Sequence, residues 1–127
     1  MSALVVDTSS WISYFAGRSV GPIDAALEEA RVHVPVVVVA ELLSGTLANK
    51  ERDALEDLLR SLPLCGHAFE HWARVGALRA GLRRHGLAVS TPDAHVAQVA
   101  IELDAELLTE DAIFRKVARH APLRLFA

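Results

Sequence analysis

Four carboxylates stand where an acid is either unusual or placed for a purpose. Asp7 closes the apolar run Ala3-Leu4-Val5-Val6, and Glu41 lies inside another, between Val39-Ala40 and Leu42-Leu43. Asp93 falls in the first turn of an apolar segment opened by Ser90-Thr91-Pro92, and Asp111 follows Glu106-Leu107-Leu108-Thr109. Each acid alone admits a simple structural role. Asp7 and Asp111 can cap helices, Asp93 can answer a helix dipole, and Glu41 can face solvent. Together they point further. Carboxylates that converge without a compensating base repel one another unless a cation holds them. Hard divalent cations such as Mg²⁺ take oxygen ligands and keep some of their waters. Four converging acids imply a metal site.

The elements that must position them can be read from hydrophobic patterning. Residues 3–6 read as a buried strand, Thr8-Ser9-Ser10 as helix-capping residues, and Trp11 to Phe15 as a helix. Gly17 and Gly21 punctuate the chain, and Pro22 suits the first turn of a helix over 22–31. The stretch His33–Val39 is ambiguous, since four consecutive valines favour strand while Ala40-Glu41-Leu42-Leu43 favours helix. The adopted reading is a very short strand ending near Pro35, then a helix to about Leu47. A helix over 49–61, a short strand at 63–65 and a long helix over 68–85 follow, the last with Trp72, Val75, Leu78 and Leu82 as core candidates. Ser90-Thr91-Pro92-Asp93 is a strong helix start, and the helix to Leu103 is apolar nearly all round, hence central. Residues 106–109 read as a strand, 112–120 as a helix and 123–125 as an edge strand. Short apolar strands alternating with helices predict one α/β domain over 1–127 with a short, mostly parallel central sheet. Parallel strands bring Asp7 and Asp111 to one edge, beyond the strands' carboxyl ends, where such sheets carry their sites.

Composition narrows the function classes. The 127 residues are 52% hydrophobic and 23% charged, the balance of a folded globule and not of a disordered tail. A single cysteine, Cys65, excludes an internal disulfide and suits the cytoplasm. No apolar run approaches the ~18 residues of a membrane span, and Met1-Ser2-Ala3-Leu4 lacks the basic start of a signal peptide. The net charge of −3 makes the chain a poor naked binder of nucleic acid. Such a role needs bound cations or a local basic patch.

Val5-Val6-Asp7-Thr8-Ser9, Val39-Ala40-Glu41-Leu42-Leu43-Ser44-Gly45, Pro92-Asp93-Ala94-His95-Val96-Ala97 and Leu108-Thr109-Glu110-Asp111-Ala112-Ile113-Phe114 occur in this order. They resemble the four acidic motifs of the PIN domain, and the chain's length is similar to that of the VapC toxins of VapBC toxin–antitoxin modules. The resemblance covers nearly the whole chain. It implies a PIN-like three-layer α/β/α fold and an endoribonuclease dependent on Mg²⁺ or Mn²⁺. Asp7, Glu41, Asp93 and Asp111 map onto the family's catalytic, metal-binding acids, with Thr8, Ser9 and Thr109 at supporting hydroxyl positions. It implies as partners an RNA substrate, a cognate VapB-type antitoxin and a second copy in a homodimer; no membrane partner is expected, for want of a spanning apolar run. It also resolves the segment around Glu41 toward helix. Asp104 departs from the family, standing where Gly or Asn is common, and Glu110 is an extra acid expected to face solvent.

For RNA the candidate contacts are Arg79, Arg83 and Arg84 on the long helix and Arg115, Lys116 and Arg119 after Asp111, with a solvated helix face as the simpler reading. Acidic residues over 22–31 and 49–61, among them Asp24, Glu51 and Glu56, mark a candidate groove for a basic antitoxin tail. Cys65, His67 and His71 hint at zinc but lack a fourth ligand. His95 follows Asp93 by two residues and so points away from it, toward a structural role. A receiver domain lacks its acid pair here, and a haloacid-dehalogenase-type phosphatase wants an acid where Ser9 stands. The remaining alternative is a catalytically silent PIN-like binding module.

Overall fold

The computed structural model describes residues 2–18 and 21–127; Met1, part of the N-terminal reading, lies outside them, as do Ser19 and Val20. In chain order the elements are β1 (Leu4–Val6), α1 (Thr8–Phe15), α2 (Gly21–Glu28), β2 (Val32–Pro35), α3 (Val36–Leu43) and α4 (Asn49–Arg60). There follow β3 (Leu64–Cys65), α5 (Phe69–Arg84), α6 (Thr91–Glu102), β4 (Glu106–Leu108), α7 (Ile113–Ala118) and β5 (Arg124–Leu125). The strands form one five-stranded sheet in the order β3-β2-β1-β4-β5. Every pairing among them is parallel, so the sheet is wholly and not just mostly parallel among the described residues. Helices cover both faces, giving three α/β/α layers.

The strand order places β1 at the centre. The chain winds outward from β1 to β2 and β3, then crosses by α5 and α6 to β4 and β5 on the other side. The reversal falls between β1 and β4, where a crevice opens at the carboxyl ends. Leu4, Val5 and Val6 are buried on both faces, as are Val32, Val34 and Leu107. This is why such short strands are continuously apolar and do not alternate. Helix α6 is buried from Ala94 to Ala100, polar His95 and Gln98 included, and is the central helix that its all-round apolarity predicts.

The valines at 36–39 are helical, as the adopted reading has them, because Pro35 ends β2 as the N-cap of α3; packing of α3 on α1 and α6 overrides strand propensity. Departures from the sequence reading have local causes. α3 stops at Leu43, short of Leu47, where the Ser44 hydroxyl turns back to donate to the Ala40 carbonyl at 2.6 Å. α2 ends at Glu28 and not at 31, because Ala30 takes φ 55° and turns the chain into β2. α7 is trimmed at both ends to 113–118. Trp72, read as core, is 37% exposed. Asp104 has φ 50°, a left-handed position that Asp tolerates and that explains a family preference for Gly or Asn there.

Candidate metal centre at the carboxyl edge of the sheet

Asp7 is the first residue beyond β1, with its amide bonded to the Leu108 carbonyl at 2.9 Å, so the ends of β1 and β4 are locked side by side. It occupies the N-cap position of α1, yet its side chain makes no capping bond. The carboxylate is buried, 6% exposed, and turned to the neighbouring loop. Ser9 Oγ and Thr109 Oγ1 each donate to Asp7 Oδ2, both at 2.9 Å. Their oxygens in turn accept the amides of Glu110 and Asp111, each at 3.0 Å. A hydroxyl has one proton to give, and both are given to Asp7, so the 3.4 Å approach of the two hydroxyls is a contact only. Oδ1 has no protein donor among the described residues.

Glu41 is exposed on α3, and its Oε1 accepts a 2.7 Å bond from Thr8 Oγ1 at the start of α1. Asp93 sits in the first turn of α6, where its amide donates to the capping Ser90 Oγ at 3.2 Å. Burial raises the Asp93 carboxyl above its ordinary range; a bond with Ser90 opposes this, and the charges of Asp111, Asp7 and Glu41 add to it. Asp93 thus feels all three of the other acids. Asp111 is exposed, and its Oδ1 accepts the Ile113 amide at 3.0 Å. That oxygen is turned back onto the start of α7, from one residue before its N-cap Ala112, and the other oxygen remains. Glu110 is exposed, as expected.

No three His, Cys, Asp or Glu side chains among the described residues form a preassembled metal cage. The chemistry of the donor set nonetheless fits a hard divalent cation. The donors are carboxylate oxygens only, Asp7 keeps an oxygen with no protein donor among the described residues, and mutual repulsion adds to the effect of burial at Asp93. A cation that keeps several waters needs only one or two direct carboxylates.

The three hydroxyls expected to support the acids all touch one, but they divide the work: Thr8 holds Glu41, while Ser9 and Thr109 hold Asp7. That division was not readable from the motifs. The basic candidates also differ among themselves. Arg79 is half-buried, its Nε donating to the Val89 carbonyl at 2.9 Å just before α6, so it is a structural tie. Arg83 and Arg84 are in the last turn of α5, and Arg115 and Lys116 in the last turn of α7. His85 and His120 stack there with ring centroids 4.2 Å apart. The two basic groups, alternatives in the sequence, therefore meet at one end of the molecule. None of these four cations is in an ion pair among the described residues. His71 offers no nitrogen for zinc, since both contact side chains of the protein.

Beside α1 and α4 a cavity of about 450 Å³ is lined by Tyr14, Phe15, Leu47, Glu51, Ala54, Leu55 and Leu58. It adjoins the acidic residues noted in the sequence. No helix among the described residues is long and apolar enough to cross a membrane.

A profile of the PIN domain matches residues 4–120. Ribonuclease VapC11 of Mycobacterium tuberculosis is 32% identical over 125 residues, covering 91% of this chain and 92% of that protein. The VapC ribonuclease Mb1587 of Mycobacterium bovis matches equally. The fold superimposes on a chain of DNA-bound VapBC from Salmonella typhimurium with a TM-score of 0.81 at 21% identity, covering 99% of this chain and 98% of that one.

Proposed function

This chain belongs to the PIN-domain family, and on that footing we propose that it is a metal-dependent endoribonuclease, a toxin that hydrolyses RNA phosphodiester bonds and is inhibited by a cognate VapB-type antitoxin. One observation carries the reading. Asp7, where the sheet order reverses, is gripped through a single oxygen by two hydroxyls, Ser9 from the first turn of α1 and Thr109 from the loop after β4, beside an Asp93 raised partly by the other three acids. A buried carboxylate oriented this way with an oxygen to spare is a ligand position more than a structural one.

Asp7, Asp93 and Asp111 are the residues that would hold Mg²⁺ or Mn²⁺, with Glu41 joining directly or through water. When bound, the ion supplies Lewis acidity toward water and the phosphate oxygens. Ser9 and Thr109 orient Asp7, and Thr8 orients Glu41. Ser90 caps the helix that presents Asp93. The exposed cations at the meeting of α5 and α7 offer contacts for the RNA backbone, which an acidic chain otherwise lacks. The apolar groove with Glu51 on its rim suits a segment of the antitoxin that carries both apolar and basic side chains. Residues 1–127 form one domain in this reading, acting in the cytoplasm as a homodimer.

The test is mapping of RNA ends in cells after brief induction, with Asp7→Asn as control. New ends at defined sites in the wild type and none in the variant are expected. The same new ends in both would overturn the assignment of Asp7, and no new ends in either, in extracts of the native organism as well, would leave a silent PIN-like binding module.

A further inference from the structure

Helix α3 begins without a side-chain cap. Its N-cap is Pro35, whose side chain has no oxygen to offer the unpaired amides of the first turn. The Val37 amide points instead to His95 Nε2 on α6, at 3.4 Å. To accept there, His95 must carry its proton on Nδ1, which lies 2.7 Å from His71 Nε2 on α5. His71 must then accept at Nε2 and carry its own proton on Nδ1, 2.9 Å from Glu102 Oε2. One assignment satisfies every partner: Val37 N–H to His95, His95 Nδ1–H to His71, His71 Nδ1–H to Glu102. Arg74 at 2.9 Å and Gln98 at 3.2 Å fix the far end by donating to Glu102 Oε1.

The rings are clamped as well as bonded. His95 is wholly buried and His71 is 3% exposed. Trp72 stacks on His95 with centroids 4.5 Å apart and planes 6° from parallel, and its Nε1 donates to the Gly66 carbonyl. Gly66 lies so close to the ring that a Cβ there would be 2.4 Å from His95 Cε1.

The two ends of this chain of bonds lie on the helices that carry two of the acids. Val37 is four residues before Glu41, on the same face of α3. His95 is two residues after Asp93 on α6. We propose that His95 is a positioning residue of the acidic site: held in one tautomer by His71 and Glu102, it caps α3 in trans and sets the Glu41 helix against the Asp93 helix. This rests on reading the four acids as a divalent-cation site. Nothing in the site itself requires His95 for chemistry, because its imidazole has no nitrogen left over. Its contribution is geometric, of the outer-shell kind whose loss weakens metal binding while the ligands stay in place.

The test is calorimetric titration of the full chain with Mn²⁺ alone. His95→Leu, close in volume but unable to accept, is expected to weaken Mn²⁺ binding about tenfold. His95→Gln, whose amide can accept from Val37 and donate to His71, is expected to recover most of that loss. Val75→Ala, a core truncation on α5 outside the bonded chain, controls for lost stability and is expected to bind as the wild type does. If His95→Leu does not fold, Glu102→Leu at the outer end of the chain serves, with a smaller weakening expected. Wild-type affinity in whichever of these two variants folds, or equal weakening in Val75→Ala, would overturn the positioning role. A wild-type protein that binds no Mn²⁺ would overturn the reading of the acids, and the proposal with it.

Discussion

Thr109 Oγ1 donates to Asp7 Oδ2 at 2.9 Å across 102 residues of sequence, joining the loop after the fourth strand to the residue after the first. The same oxygen of Thr109 accepts the Asp111 amide, so this hydroxyl holds one candidate ligand by its side chain and another by its backbone. Thr109→Val keeps the shape and removes both bonds. The expected result is a loss of about 1–2 kcal/mol in urea unfolding and at least a tenfold fall in metal-dependent cleavage. Ser9→Ala should act similarly. The two together should cost less than the sum in activity, because they share one carboxylate.

Asp93 is where the acidic cluster works against folding. Burial and the neighbouring carboxylates disfavour its charge. Asp93→Asn removes that charge and keeps the shape. The metal-free variant should melt a few degrees higher than the metal-free wild type. It should also lose the rise in melting temperature that Mn²⁺ gives the wild type, and lose cleavage. Thermal melts with and without Mn²⁺ check both signs. A variant less stable than the wild type without metal would mean that the carboxylates are not in repulsion.

The motifs made the acids legible because Asp7, Asp93 and Asp111 end or open an apolar element at a turn or a helix start, while Glu41 breaks the apolar run of a helix, and at each place chemistry and local structure leave the same mark. The parallel sheet was legible from strands too apolar to have a solvent face. His95 was not. Two residues from Asp93 places it on the opposite side of α6, and from sequence that side is simply core. Its partners lie on three other segments, α3, α5 and the loop at Gly66, and only the folded chain brings them within hydrogen-bond reach. The meeting of the basic groups of α5 and α7 was hidden for the same reason, since the helices' relative placement depends on the crossover to β4. Trp72 misled by its type: a large aromatic at core spacing turned out to cover a buried ring at the surface.

The His95 ring also predicts how stability depends on pH. Burial, and secondarily His71, lower its pKa from 6.5 to about 4, against the opposing pull of Glu102. The unfolded chain therefore takes up this proton first as pH falls. The stabilisation is complete above pH 6.5, declines between about 6.5 and 4, and is spent below that. At about 1.4 kcal/mol per unit the whole effect approaches about 3 kcal/mol. Urea midpoints of metal-free protein across this range should fall with pH, and less so in His95→Gln. Equal slopes in the two proteins would assign the loss to other groups.

Gly66 should tolerate no side chain. Its φ is 95°, and an added Cβ would meet His95 Cε1 at 2.4 Å and His71 Nε2 at 3.1 Å, both in buried rings that cannot yield. Gly66→Ala is expected to destabilise by about 2–4 kcal/mol, combining left-handed strain with overpacking. Gly17→Ala offers a comparison that isolates the backbone share. It too has a positive φ, 74°, but nothing among the described residues lies within 4 Å of its Cβ position, so it should cost about 1 kcal/mol. Similar losses in the two would mean that the histidines give way.

The basic end makes a prediction about RNA that differs from the predictions for the acids. Arg83, Arg115 and Lys116 are exposed and in no ion pair among the described residues. Arg79 is tied to the Val89 carbonyl and should behave as a structural residue. If the three exposed cations hold phosphates, Arg83→Glu or the pair Arg115→Glu and Lys116→Glu should weaken RNA binding at low salt. Each lost phosphate contact should reduce the slope of log affinity against log salt by about 0.7 for single strands. Mn²⁺ affinity should stay as in the wild type, because these side chains hold no ion. Arg79→Ala should instead lower stability while leaving the salt slope unchanged. Binding titrations at several salt concentrations, on a catalytically silenced Asp7→Asn background, separate the two kinds of arginine. An unchanged slope in the reversed variants would show the basic end to be a solvated surface.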